Sequence, residues 1–140
     1  MFSLELISER LALQEILETN YKSGLYGLRL TPQDALEIIA SRNYALSAYG
    51  RIEFGSATVN KIIEAFLDSP YIQQSEYVEI IDDLIETFYY AKSEMLEVVS
   101  DDKLIELMVI FFNGKSGGSI SLLRERDLDK VIRSIHNKLP

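Results

Sequence analysis

Hydrophobic residues in this chain recur mostly at intervals of three and four, the spacing of one face of an α-helix. Near the N-terminus the spacing joins Leu13, Ile16, Leu17 and Tyr21, with charged residues between them. Ser23-Gly24 then interrupts the run. The pattern predicts a first helix of about 14 residues or more.

A second helix is predicted over residues 31–49. Thr31 can accept a hydrogen bond from an unpaired backbone N–H, and Pro32 suits the first helical position. We expect this helix to bury Leu36, Ile39, Ala40 and Leu46. A short third helix is predicted over residues 56–67, because Pro70 and the residue before it disfavour helical backbone.

The fourth helix has the clearest pattern. Its apolar stripe consists of Tyr77, Ile81, Leu84, Ile85 and Phe88, and its opposite, acidic stripe of Glu79, Asp82, Asp83, Glu86, Glu94 and Glu97. A fifth helix starts at Ser100-Asp101-Asp102 and reaches Asn113, and its stretch from Leu104 to Phe112 has almost no polar face apart from Glu106. Such a helix is either central or covered by a partner, which includes a second copy in a homodimer. A sixth helical region starts at Ser119 or Ser121.

Two short segments alternate apolar and polar residues between glycines: "YGLRL" at 26–30 and "GRIEFG" at 50–55. Period-two alternation is typical of extended chain, so residues 26–30 and 51–54 are predicted to form a short two-stranded pair. The predicted fold is mainly α: a single domain, residues 1–140, forming a compact bundle of about five or six helices.

Composition excludes several functions. The net charge of −8 repels phosphate backbones and argues against nucleic-acid binding. The absence of cysteine excludes disulfides and thiolate metal sites, and fits a reducing compartment. The N-terminal segment lacks the features of a secretion signal, and no apolar stretch is long enough to cross a membrane. We therefore expect a cytoplasmic protein without a membrane partner.

No catalytic residue, cofactor or metal site is predicted. The single histidine, His136, has no partner at metal-ligand spacing, and no Gly-x-Ser-x-Gly motif presents a nucleophile. The carboxylates of the fourth helix lie on one face and could hold a hard cation. The same spacing describes the solvated side of any acidic amphipathic helix, which is the simpler interpretation.

The stretch "NGKSGGS" at 113–119 contains Gly-Lys-Ser, the end of a phosphate-binding loop. The first glycine of that motif would fall at Val109, and a helix precedes the tripeptide where the motif needs a strand. Gly114 is therefore predicted to end the fifth helix in a left-handed conformation. The alternative is a weak anion site formed by Lys115, Ser116 and Ser119.

The segments "TPQDALEIIASRNYALSAYGRIEFG", "DSPYIQQSEYVEIIDDLIETFYYAKSE", "DDKLIELM" and "NGKSGGS" together resemble an uncharacterised bacterial domain family of unknown function. The resemblance covers about residues 28–123. It implies a small soluble bacterial protein and carries over no known site.

Polar residues near the second helix provide the main candidate site. Arg42 and Asn43 lie on that helix, and Arg51 and Glu53 on the following extended segment. One interpretation is a structural network that ties the helix to the segment. The other is a ligand site that these four residues form with Tyr71.

Two functions are favoured over a third, a regulatory protein whose basic C-terminal helix contacts nucleic acid. The first is a non-enzymatic interaction or regulatory module, in which the acidic face at 79–97 or the tyrosines contact a protein partner. The second is a protein that binds a small molecule or an anion, and that could be an enzyme, at Arg42, Asn43 and Arg51. A concave pocket where these side chains converge distinguishes the second from the first.

Overall fold

The computed structural model describes the backbone of residues 4–139 and the side chains of residues 8–139. Helices of nine residues or more in this range are α1 (Leu4–Glu18), α2 (Pro32–Tyr49), α3 (Ala57–Ala65), α4 (Tyr77–Glu94), α5 (Asp101–Asn113) and α6 (Leu128–Lys138). The mainly α prediction is confirmed. No helix within residues 4–139 has both the length and the apolar character needed to cross a membrane.

Local sequence explains where two of these helices begin. At the start of α2, Thr31 accepts a hydrogen bond from the Asp34 N–H at 3.0 Å, and the Asp34 carboxylate accepts one from the Thr31 N–H at 2.9 Å. At the start of α5, Ser100 accepts one from the Lys103 N–H at 3.2 Å. Both starts lie where the sequence predicts them, because these side chains satisfy backbone donors that the first helical turn leaves unpaired.

The core is built around α4, whose predicted inward stripe is buried throughout: Tyr77, Ile81, Leu84, Ile85 and Phe88. Helix α2 packs along α4, while α3 and α5 pack against it elsewhere. The predicted inward face of α2 is partly wrong. Ile39 and Leu46 are buried, but Leu36 and Ala40 are exposed. The buried face instead includes Ala35, Ile38 and Arg42, and Arg42 is the charged residue among them.

Helix α5 lies against α3, α4 and the turn at Leu123–Asp127. Its residues Leu104, Ile105, Met108 and Phe112 are buried, whereas Ile110 is exposed. Contacts within the chain therefore cover most of this apolar helix, which fits the predicted central position.

The predicted strand pair does not form within residues 4–139. In the first segment, the Leu30 N–H donates to the Asn20 side chain at 2.8 Å. Next to the second segment, the Gly55 N–H donates to the Ser8 hydroxyl at 3.2 Å. Residues 28–30 and 51–54 are irregular chain, and the side chains of Asn20 and Ser8 take backbone hydrogen bonds in or next to them that a partner strand would otherwise take.

The glycine-rich stretch after α5 is a turn between helices. Gly114 has φ −112°, so the predicted left-handed conformation at this position is wrong. The left-handed residues are Gly117 at φ 55° and Gly118 at φ 81°. They come later because the N–H groups of Ser116 and Gly118 first reach back to carbonyls in the last turn of α5, both at 2.8 Å. A short helix (Ile120–Leu122) and a π-helical turn (Leu123–Asp127) then lead into α6.

Candidate functional site

A concave site lies between α1, α2 and the irregular segment at residues 51–54. We call it the Arg42 cavity. Its volume is about 340 Å³, and its lining consists of Ser8, Glu9, Arg42, Asn43, Leu46, Glu53 and Phe54. Three of the five predicted ligand-binding residues, Arg42, Asn43 and Glu53, thus converge on one cavity.

Arg42 is a buried cation, with only 3% of its surface exposed. Its Nε donates to Asn43 Oδ1 at 2.8 Å, and its Nη1 donates to the Gly55 carbonyl. Both acceptors are uncharged, and the ion pairs recorded between the described side chains do not include Arg42. A buried charge without an opposite charge at ion-pair distance costs several kcal/mol. The site therefore favours a negatively charged group close to Arg42.

Glu53 supplies the second charge of the cavity, and a neighbouring cation balances it. Arg51 Nε lies 2.8 Å from Glu53 Oε2, and the Tyr89 hydroxyl donates to Glu53 Oε1 at 2.8 Å. The contact with Arg51 has poor hydrogen-bond geometry, so Glu53 Oε2 is buried without a hydrogen bond. Burial raises the pKa of Tyr89, and the charge of Glu53 raises it further. The tyrosine therefore remains a neutral donor.

Arg51 also anchors the cavity wall to the end of the bundle. Its Nη2 lies 2.6 Å from Asp101 Oδ2, and Lys92 Nζ lies 3.0 Å from Asp101 Oδ1. Burial alone would raise the pKa of Asp101, but hydrogen bonds from Arg51 and Lys92 outweigh it and hold the pKa below its usual range. These contacts tie the segment to α4 and α5, whereas the structural interpretation expects a network that ties it to α2. They fix Glu53 in place beside the cavity.

Tyr71 lies elsewhere. It does not line the Arg42 cavity, and its ring packs edge-on against Phe112 with the centroids 6.2 Å apart. A Cβ added to Gly118 would meet the same tyrosine. In the structure, Tyr71 therefore packs against the glycine-rich turn.

The three residues of the alternative anion site, Lys115, Ser116 and Ser119, do not share a common partner. Ser116 is buried, and its hydroxyl donates to Asp127 Oδ2 at 2.6 Å. Ser119 accepts from the Leu122 N–H at 3.2 Å and caps the short helix. Lys115 is exposed, and its carbonyl accepts from Arg126. The Ser116 hydroxyl already donates to a carboxylate of the chain itself. Of the three residues, only Lys115 offers an accessible charge to an anion.

A second concave surface lies between α2 and α4, and we call it the acidic groove. Its volume is about 470 Å³, and its lining consists of Ala40, Ser41, Tyr44, Ala45, Asp82, Asp83 and Glu86. Burial raises the pKa of Asp82 to about 7, and the carboxyl of Glu37 adds to the rise. Burial and the neighbouring charges of Glu86 and Glu79 also raise the pKa of Asp83. Of the three carboxylates in the lining, Glu86 pairs with Arg124 Nη1 at 3.2 Å, whereas the recorded ion pairs include neither Asp82 nor Asp83.

The acidic residues do not form a metal site in the described part of the chain. Side chains of residues 8–139 contain no cluster of three or more histidine, cysteine or carboxylate ligands placed to hold a metal ion. The acidic groove can attract cations through its field, but a coordinated ion needs converging ligands.

Sequence reasoning missed some of the cavity lining. Ser8 and Glu9 lie before the first helical stripe that the pattern detects, and nothing local identifies them. Lys92, which contacts Asp101 and does not line the cavity, was detectable from the sequence. It comes four residues after Phe88 and so continues the buried stripe of α4. A charged residue at such a position is a signal that the pattern does contain.

Fold and site together define a small, mainly α-helical protein with a polar cavity at a buried arginine. The chain belongs to the family of unknown function DUF6323, whose model matches residues 15–140. The predicted membership of an uncharacterised domain family is thus confirmed. No curated protein and no solved structure matches the chain. The family match includes Arg42, Asn43 and Glu53 but begins after Ser8 and Glu9.

Proposed function

We propose that this protein binds a small molecule with a carboxylate or phosphate group in the Arg42 cavity. The observation that carries the proposal is the burial of Arg42 with hydrogen bonds to uncharged acceptors only. A guanidinium has five N–H donors, and the recorded bonds use two of them. Its remaining fork matches the two oxygens of a carboxylate or phosphate.

Glu53 gives the ligand a second feature. Glu53 lines the same cavity, and a ligand N–H or O–H can donate to its carboxylate. Leu46 and Phe54 supply apolar lining to the same cavity. The proposed ligand therefore combines an oxyanion with an amino or hydroxyl group. The protein contains no cysteine, and this composition supports the expectation that it acts in the cytoplasm.

Titration of the full chain with acetate, glutarate, glutamate and inorganic phosphate tests the proposal by amide NMR. We expect saturable shifts confined to the cavity residues, with a Kd of about 1 mM or tighter for the best probe. Phosphate separates the two oxyanion classes. Glutamate and glutarate differ by one amino group, so a preference for glutamate measures the contribution of Glu53.

The decisive variant is Asn43→Asp. It is isosteric and keeps an acceptor for Arg42 Nε, but it places a carboxylate beside the guanidinium. Folding stability should rise by about 1 kcal/mol, because a charge-assisted hydrogen bond replaces a neutral one. Oxyanion binding should be lost at the same time, since the site then contains its own anion.

Asn137→Asp is the matched control, because Asn137 is exposed near the end of α6 and gains the same charge. It should leave binding unchanged and lower stability slightly, because the added charge lies at the negative end of the helix dipole. Oxyanion binding that survives Asn43→Asp, or cavity resonances that no probe shifts, would contradict a binding function for Arg42.

A second candidate function, a module that binds a protein partner, draws on the acidic groove. Tyr44 stands at its edge with 78% of its surface exposed, and Asp82 and Asp83 have raised pKa values. A positively charged segment with an apolar contact for Tyr44 complements this surface. Because a cation favours ionised Asp82, affinity for an oligolysine probe should increase from about pH 6 to about pH 8. Asp82→Asn should remove that increase, and equal affinity at both pH values would argue against the groove.

A further inference from the structure

The segment at residues 51–54 has the side-chain alternation of a β-strand, although no strand pairs with it within residues 4–139. Arg51 and Glu53 lie 2.8 Å apart and contact α5 and α4 respectively. Ile52 and Phe54 point outwards, with 82% and 78% of their surfaces exposed. One side of the segment is therefore covered by the bundle, and the other presents two large apolar residues to solvent.

Hydrogen bonds hold both ends of this segment but not its middle. The Arg51 N–H donates to the Leu46 carbonyl at 3.0 Å, and the Gly55 carbonyl accepts from Arg42. In the described part of the chain, no hydrogen bond is recorded for the backbone N–H and carbonyl groups of residues 52–54. An extended chain that is fixed at its ends and has free backbone groups is an edge to which a further strand can pair.

The segment also borders the Arg42 cavity, because Glu53 and Phe54 line it. A volume of about 340 Å³ is small for a ligand pocket, so the cavity has room for the end of a chain and not for a whole peptide. A free amino acid would bring an anion to Arg42 but would leave most of the exposed surface of Ile52 and Phe54 uncovered. An extended peptide that ends in the cavity can do both.

We propose that the Arg42 cavity and the segment at 51–54 together bind the C-terminal end of an extended peptide. The terminal carboxylate pairs with Arg42, and the peptide backbone pairs with residues 52–54 as an added β-strand. Amide N–H groups of the peptide supply donors to Glu53, and its apolar side chains cover Ile52 and Phe54. This inference rests on the proposed function, because it takes the oxyanion in the cavity to be the end of a peptide.

Calorimetric titration of the full chain with three matched probes tests the inference. The probes are the acetylated peptide Val-Lys-Val-Thr-Val with a free carboxylate, the same peptide as its C-terminal amide, and acetyl-valine. The acid should bind at least about tenfold more tightly than the amide, because only the acid brings an anion to Arg42. This comparison is stringent, because a chain of charge −8 attracts the more positive amide. The acid should also bind at least about tenfold more tightly than acetyl-valine, because only a peptide can pair with the segment.

Hydrogen exchange and one pair of variants locate the peptide. With the acid bound, N–H groups of residues 52–54 should exchange at least about tenfold more slowly. Phe54→Ala should weaken the acid by at least about fivefold, because it removes an apolar contact of the bound peptide. Tyr21→Ala is the matched control, since this ring is 87% exposed and lies outside the cavity lining, and it should leave the Kd unchanged.

The probes separate failure of the inference from failure of the proposed function. Acetyl-valine that binds as tightly as the peptide acid, without slower exchange at residues 52–54, would overturn the inference and leave the Arg42 cavity as an oxyanion site. An amide that binds as tightly as the acid would also overturn it, because the carboxylate would then not reach Arg42. If neither acetyl-valine nor the peptide acid binds, the inference and the proposed function fail together.

Discussion

Substitution of Gly118 by alanine tests how the glycine-rich turn packs, and the same substitution at the neighbouring Gly117 is its control. Both have left-handed backbone, with φ 81° and 55° respectively. A Cβ at Gly118 would lie 2.5 to 2.8 Å from three atoms of Tyr71, whereas a Cβ at Gly117 would meet nothing within 4 Å. Ordinary van der Waals contact begins at 3.4 Å, so Tyr71 or the turn must move by up to 3.4 − 2.5 = 0.9 Å.

Left-handed backbone costs alanine about 1 to 2 kcal/mol, and the lower entropy of the unfolded chain recovers about half of this. Gly117→Ala should therefore lower the free energy of unfolding by about 1 kcal/mol. Gly118→Ala adds overpacking against Tyr71, which is held by Phe112, for a total of about 2 to 4 kcal/mol. Urea denaturation followed by circular dichroism measures both.

A double-mutant cycle identifies the cause of the difference. In a Tyr71→Gly background, the cost of Gly118→Ala should fall to that of Gly117→Ala, because the colliding Cβ and ring are both gone. Equal costs for the two glycines in the wild-type background would refute the packing of Tyr71 on the turn. The result also bears on the Gly-Lys-Ser tripeptide at residues 114–116. If Tyr71 packs on the turn, the glycines that follow the tripeptide have a structural role that does not require phosphate binding.

Three further changes test other parts of the structure. Burial raises the pKa of Asp82 from 3.8 to about 7, so the folded protein keeps a proton that the unfolded chain releases, and stability falls as pH rises through that window. Asp82→Asn should flatten this fall, which thermal denaturation at about pH 5 and about pH 8 measures. Leu96 has φ 55°, so Leu96→Gly should stabilise by up to about 1 kcal/mol in urea, whereas Val98→Gly should destabilise. Ser116→Ala removes the hydroxyl that binds buried Asp127 and should cost about 2 kcal/mol by the same assay; no loss would mean that the contact is not needed.

The sequence predicts those parts of the fold that local physics decides. The cap at Thr31 and the inward stripe of α4 are both correct, because capping and 3.6-residue periodicity depend on neighbours in the chain. Gly114 was expected in a left-handed conformation for the same local reason, and here the prediction fails. The path of the turn depends on where Tyr71 packs, which is a contact between distant residues.

The candidate site could be predicted only in part. Arg42 and Glu53 were selected as polar residues in an apolar neighbourhood, and the structure brings them to one cavity. The burial of Arg42 could not be predicted, because a charged residue in a helix is normally solvated. Tyr71 was grouped with them by residue type alone, and nothing in the sequence gives the direction in which its ring points.

Helix α1 shows why the most apolar face in a sequence pattern is not always the face that the fold buries. The buried residues of α1 and of the turn that follows it include Ala12, Thr19 and Ser23, which are small and allow a close approach to the bundle. The larger Leu17 and Tyr21 produce the stronger hydrophobic stripe, yet the fold leaves them outside the most buried positions. Apolar area gains free energy only where something covers it. A strong apolar stripe therefore identifies a helix but not the face that the helix buries, and only contacts with other elements, as for α5, decide which apolar residues are covered.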